Sequence, residues 1–322
     1  MSENPRTVAL CGGVGGAKLA LGLAHLLPPE SLTVVINTGD DFDHLGLRVC
    51  PDIDTVLYTL SGLNDEERGW GRRGETWNFL DSLAQLGGEI WFQLGDRDMA
   101  LHVERTRRLA AGDSLTAITA AFAAALGATP RILPMSDQPV RTFVRTEGGP
   151  LAFQFYFVRD RCAPRVAGFR FDGAQDALPA PGTVEAIRDA DLIVLCPSNP
   201  FVSIGPILAV PGLRAALEAR TAPLVAVSPI VGGMAIKGPT AKMMDELGMP
   251  RSADAVARHY GALLDGFVLD ETDAELAPSV EALGLPCLVA QTVMTDLGDK
   301  VDLARVVRDF GENLKVRGGS AQ

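Results

Sequence analysis

The hydrophobic positions of this chain gather into short continuous runs. Thr7–Cys11, Leu32–Ile36, Leu192–Cys196, Leu224–Val227, Gly266–Leu269 and Pro286–Ala290 are apolar almost throughout, and turn-forming or polar residues follow them. Runs of this length, bounded by Gly, Asn, Ser, Pro or Asp, read as strands buried on both faces. Between them the spacing turns helical: Leu19, Leu21, Leu23 and Leu26 after the first run, then Val184–Asp189, Gly212–Ala219, Ala253–Leu264 and Ala274–Leu283. Strands alternating with helices predict an α/β fold with a doubly wound, mostly parallel, Rossmann-like sheet. The middle of the chain breaks the rhythm. It is helical over Thr76–Leu86 and Leu115–Leu126, then strand-like over Arg141–Arg145, Ala152–Val158 and Val166–Phe171. The expected organisation is a core from 1–60 and 184–310, with 64–180 inserted as a helical and small β portion that contributes to the pocket. A flexible tail is expected over 315–322.

Composition narrows the class. With 322 residues, 47% of them hydrophobic, the chain can bury a core without disulfide or metal staples. A net charge of −11 argues against nucleic acid or an anionic membrane as the main partner. The cysteines Cys11, Cys50, Cys162, Cys196 and Cys287 are scattered and odd in number, which suits a reducing cytosol and offers no zinc pattern. His25, His44, His102 and His259 form no HxxxH pair. No basic leader precedes an apolar run at the N-terminus, and no uncharged stretch reaches transmembrane length. The expectation is a soluble cytoplasmic protein.

The first run leads into Gly12-Gly13-Val14-Gly15-Gly16-Ala17-Lys18. A strand, a glycine-rich turn and a helix start present backbone N–H groups and a positive dipole end to a phosphate. The string satisfies neither common version. It lacks the hydroxyl that follows lysine in a P-loop, and the third glycine of a dinucleotide fingerprint. A NAD(P)-dependent oxidoreductase is therefore disfavoured. Asp40, Asp41 and Asp43 follow the second run, and Pro51-Asp52-Ile53-Asp54-Thr55 opens the next helix, expected over Thr55–Leu60. Neighbouring strand ends would turn these carboxylates toward the glycine loop, where oxygen ligands suit Mg²⁺; taken singly, each is also an ordinary turn or N-cap residue. In Leu94-Gly95-Asp96-Arg97-Asp98, Arg97 is either a clamp for phosphate or carboxylate or part of a surface ion-pair cluster. Pro197-Ser198-Asn199-Pro200 and Ser228-Pro229-Ile230-Val231-Gly232-Gly233 end two later strands and read as a second anion-binding wall, or as plain turn chemistry.

Taken in order, GGVGGAKLALGL, VVINTGDDF, CPDIDTVLYTLSG, WFQLGDRDMALH, GDSLT, ILPMSDQPVRT, PSNPFVSIGPIL and AVSPIVGG with KGPTAKMM span Val8 to about Leu297. With these strings the chain resembles the 2-phospho-L-lactate transferase family of deazaflavin coenzyme F-420 biosynthesis. The resemblance implies a Mg²⁺-requiring homodimer that moves a phospho-three-carbon-acid unit from a GDP-linked donor to the terminal ribityl hydroxyl of the deazaflavin Fo, releasing GMP. The acid is 2-phospholactate, phosphoenolpyruvate or 3-phosphoglycerate. Asp54 and Gln93 match positions assigned to Fo, the second being basic in many relatives. Gly12, Gly13, Gly15, Gly16, Lys18, Ser198, Asn199, Ser228, Gly232 and Gly233 match the nucleotide and phosphate wall. The expected metal ligands are Asp40 and Asp54, and the expected catalytic residues are Asp54, Asp41 and Arg97. The alternative is a non-catalytic nucleotide- or nucleotide-sugar-binding regulator of the same fold.

Overall fold

In the computed structural model of the protein, which describes residues 5–319 and side chains as far as residue 314, the apolar runs become strands of one sheet. These are β1 (Thr7–Cys11), β2 (Leu32–Ile36), β3 (Arg131–Pro134), β4 (Leu192–Leu195), β5 (Leu224–Val227), β6 (Gly266–Asp270) and β7 (Cys287–Ala290). They lie in the order β7-β6-β5-β4-β1-β2-β3 with every pair parallel. The doubly wound Rossmann-like sheet is therefore present, with three small antiparallel sheets added. The winding reverses between β1 and β4, and ligands in such sheets bind outside the carboxyl ends of the strands at the reversal.

Successive side chains of β1 point to opposite faces. Val8 and Leu10 join one apolar cluster, with Ile193, Leu195 and Ala226. Ala9 and Cys11 join the other, with Val34, Ile36 and Val194. Helices α1 (Gly13–Leu26) and α2 (Pro51–Leu60) follow β1 and β2. Pro51 sits in the first turn of α2, where its missing N–H costs nothing, so this helix starts four residues before the expected Thr55. Two further helices shape the site, α3 (Asp96–Ala110) and α4 (Leu115–Leu126), and a long α5 (Leu297–Gly319) packs on α1. That packing is close. A Cβ at Gly22 would run into the backbone of Lys300.

Three expectations need correction. The segment 64–180 is not wholly outside the sheet, because β3 pairs with β2 at its edge, where a terminal proline is tolerated. Ala152–Val158 is not a strand: Gly149–Ala152 is, and Phe155–Arg159 forms a π-helical turn. The period-2 pattern breaks there, since Phe153, Gln154 and Tyr156 are buried while Phe157 is exposed. The pair Phe42–His44 and Leu47–Val49 forms a hairpin that takes Asp43 out to the surface with Arg48, 2.6 Å away. Of the tail expected over 315–322, the backbone of 315–319 continues α5, and 320–322 lie outside the described residues. Among the described residues no single helix is long and apolar enough to cross a membrane.

Candidate functional site

A cleft of about 750 Å³ opens at the sheet reversal. The ends of β1 and β4 are fastened to each other there. The Ser198 hydroxyl accepts from Gly12 N–H at 3.1 Å and donates to Gly12 C=O at 2.9 Å, with both groups buried. Gly13 has φ +66°, a left-handed turn that lets the chain pass from strand to helix. Its N–H donates to Asp52 Oδ1 at 2.6 Å, so a carboxylate rests on the positive end of α1. Gly12, Gly13, Gly15, Lys18, Ser198, Asn199 and Ser228 line the cleft, as do Asp40, Asp54 and Gln93. Losing the Ser198 hydroxyl would strand two buried backbone groups. Ser198→Ala is expected to cost about 1–3 kcal/mol, read as a lowered urea midpoint at unchanged m-value.

Beside the loop lies a carboxylate pair without a cation. Asn37 Nδ2 donates to Asp52 Oδ2 at 2.9 Å and lies 3.4 Å from Asp40 Oδ1. Gln154 Nε2 reaches Asp40 Oδ2 at 3.3 Å. Among the described residues neither carboxylate is in a salt bridge. Burial pushes Asp52 up to about 6, against the hydrogen bonds from Asn37 and Gly13. Burial, then the neighbouring Asp52 and Asp41, pushes Asp40 well above the usual carboxylate range. Two buried acids held this way favour either a proton or a divalent cation.

Asp54 differs. Its carboxylate is gripped by the fully buried Arg105 guanidinium, Nη1 to Oδ2 at 3.1 Å and Nη2 to Oδ1. His102 sits between two acids, Nδ1 at 3.7 Å from Asp54 and Nε2 at 3.3 Å from Asp98. The Tyr58 hydroxyl donates to Asp98. Burial would raise the Asp98 carboxyl, but His102 and Tyr58 outweigh it and hold it low. Asp98, His102 and Arg105 are not among the site residues expected from the sequence, although their spacing of four and three residues places them on one face of α3. The expected metal residue Asp54 thus already has its counter-charge, and the cation-poor pair is Asp40 with Asp52.

Five expected site residues do not line the cleft. Asp41 is buried behind it, accepting from the Cys50 thiol at 3.1 Å, and burial lifts it to about 7. Arg97 is exposed at the start of α3; its N–H and that of Asp98 donate to the Glu75 carboxylate. Gly16 packs against Ser198 and Cys11. Gly232 and Gly233, with φ +56° and +74°, form the two-residue turn between Ile230–Val231 and Met234–Ala235. The Gly232 N–H is taken by Asp273 at 3.0 Å. Away from the loop the cleft wall is aromatic, with Trp91, Phe92, Phe153 and Phe157 beside Gln93. Trp91 stacks on Phe155 at 4.8 Å, and Phe153 lies nearly parallel to Phe157 at 5.4 Å.

Residues 7–298 match the family model described as 2-phospho-L-lactate transferase CofD. A phosphoenolpyruvate transferase of Streptomyces griseus is 46% identical over 316 residues, covering 96% of this chain and 99% of that protein. Proteins of the same name from Thermobifida fusca and Nocardia farcinica are 44% and 41% identical, covering 94% and 96% of this chain and 99% and 96% of their own lengths. Among solved structures, protein BH3568 of Bacillus halodurans superposes with a TM-score of 0.65 at 18% identity, covering 95% of this chain and all of that one. At that identity it shows the fold alone.

Proposed function

The chain belongs to the CofD family of 2-phospho-L-lactate transferases, and from that premise we propose the following reaction. The terminal ribityl hydroxyl of Fo attacks the acid-bearing phosphorus of a diphosphate joining a phospho-three-carbon acid to GMP. One O–P bond forms, the bridging O–P bond breaks, GMP leaves and the hydroxyl proton passes to a base. The names of the relatives favour phosphoenolpyruvate as the acid. The carrying observation is that one cleft joins a helix N-terminus, a buried carboxylate pair without a cation, and an aromatic wall.

In this reading the ring of Fo lies on the Trp91 and Phe153 wall, near Gln93, with its ribityl chain toward Asp54. Arg105 fixes Asp54 so that the carboxylate orients the hydroxyl and does not swing to the phosphates. The start of α1 receives the diphosphate, with Lys18 at the edge of its site. Mg²⁺ fits Asp40 and Asp52, which among the described residues form no salt bridge; bound there it would neutralise phosphate charge. Asp41 and Arg97, lying off the cleft, act at most through their neighbours. A cytoplasmic homodimer, which the family resemblance implies, is open to sedimentation and cell fractionation.

Incubating the protein with Fo, Mg²⁺ and each GMP-linked acid, then weighing the product, tests the reading. The expected result is Fo-dependent release of GMP with the largest yield from the phosphoenolpyruvate-linked donor. Nucleotide binding without any Fo-dependent GMP would overturn it in favour of a non-catalytic nucleotide-binding regulator.

A further inference from the structure

We propose that a small chamber beside the glycine loop, walled by Lys18, Lys237 and Lys300, holds the carboxylate of the acid being transferred. This rests on the transferase reading above and adds to it the group that recognises the acid. The chamber measures about 70 Å³ and opens into the main cleft, since Val14, Lys18 and Lys237 line both.

Three lysines line it against two acids, Asp65 and Glu66. The Lys300 side chain is only 5% exposed, and its ammonium meets Glu66 at 3.4 Å, a side chain that is itself 72% exposed. Lys18 Nζ donates to the Met294 carbonyl at 2.6 Å and Lys237 Nζ to the Gly69 carbonyl at 2.9 Å. Those partners are neutral, so they orient the two ammonium groups without cancelling their charge. Each ammonium carries three N–H donors. Of the acids nearby, Asp65 lies 3.9 Å from the Arg68 guanidinium, and Asp299 accepts from the Thr295 N–H at 2.8 Å while keeping its charge. Burial, then Lys300 and Lys237, lowers the pKa of Lys18 against the opposing pull of Glu66 and Asp299. Close approach of α5 to Gly22 is what carries Lys300 to this place.

Size and position select the anion. In the proposed reaction the diphosphate would be met by the α1 start and by Mg²⁺ held at Asp40 and Asp52. The chamber lies just past Lys18, and in 2-phospholactate or phosphoenolpyruvate the carboxylate is on the carbon attached to the phosphate ester oxygen. It is therefore the next anionic group out from the reacting phosphorus. In 3-phosphoglycerate the carboxylate lies one carbon further away, so the chamber favours acids phosphorylated at C2.

Calorimetric titration of the full chain with GDP, and with the diphosphate of GMP and 2-phospholactate, separates the possibilities. The wild type is expected to bind the acid-linked nucleotide more tightly than GDP. Lys300→Met and the exposed Lys237→Met are each expected to lose about 10- to 100-fold of that preference, as for a charge-assisted hydrogen bond. Their affinity for GDP should stay within about 3-fold of wild type. Preference retained in both variants would overturn the assignment. Equal loss of GDP and of the acid-linked nucleotide would also overturn it, by assigning the chamber to the diphosphate. A Lys300-dependent heat with inorganic phosphate alone would assign it to free phosphate instead. A wild type that binds neither nucleotide would sink the transferase reading itself, a result distinct from the others.

Discussion

Arg105→Met is expected to lower the unfolding free energy by about 3–5 kcal/mol, because it leaves a buried carboxylate without its cation. Arg105 is completely buried and holds both oxygens of Asp54, and Nη1 also reaches the Arg48 carbonyl at 3.2 Å. Methionine fills much of the same volume, so the loss measures charge more than cavity. Asp54 would then lie close to Asp98 with only His102 between them. Removing both charges reverses the logic. Asp54→Leu/Arg105→Met is expected to recover most of the lost stability, since an apolar pair carries no desolvation cost. It should remain inactive if, as proposed, Asp54 orients the acceptor hydroxyl. Urea denaturation of the two variants, with turnover measured on the same samples, separates these roles. A loss below about 1 kcal/mol for Arg105→Met would mean that water relaxes the site and the pair is not tightly held.

The same network shows what the sequence could and could not convey. β1, β2 and β5 end where their apolar runs end, because strands buried on both faces leave few polar positions inside the run, here only Thr7 and Thr33. β3 escapes a sequence reading because Arg131-Ile132-Leu133-Pro134 has too few apolar residues to stand out between a helix and a loop. The string around Arg97 draws attention because its charges are adjacent, yet adjacent helical residues point in different directions. The buried arginine lies seven residues beyond Asp98, on the face that His102 shares. Asp52 and Asp54 teach a similar lesson. Two positions apart on α2, they face different partners, Asp52 the Gly13 N–H and Asp54 the α3 arginine. The glycines at 232 and 233 satisfy a hairpin, a demand that looks like a phosphate loop when only the string is read. Lys300 has no local signal, since a helix from the far end of the chain brings it to the loop.

In metal-free buffer, thermal stability is expected to fall as pH rises from about 4 to about 7, and Mg²⁺ is expected to remove most of that fall. The buried acids set the sign. Asp52 is lifted to about 6 and Asp41 to about 7 from 3.8, and Asp40 is raised as well, in each case chiefly by burial. Between those limits the folded chain holds protons that the unfolded chain has released, so raising the pH favours unfolding. The stability these groups contribute is complete below the unfolded carboxylate range and is lost as pH passes their folded values. Each tenfold gain in proton affinity on folding is worth about 1.4 kcal/mol, so the combined effect is on the order of a few kcal/mol. Mg²⁺ at Asp40 and Asp52 would favour the ionised pair and so act more strongly at pH 7.5 than at pH 5. Asp52→Asn removes one of the competing charges. It should flatten the metal-free pH profile, weaken the response to Mg²⁺, and lower turnover by roughly 100-fold or more through lost charge neutralisation. The decisive comparison is the Mg²⁺-induced shift in melting temperature at the two pH values, in wild type and variant. Equal shifts at both pH values, unchanged by Asp52→Asn, would place any bound metal away from this pair.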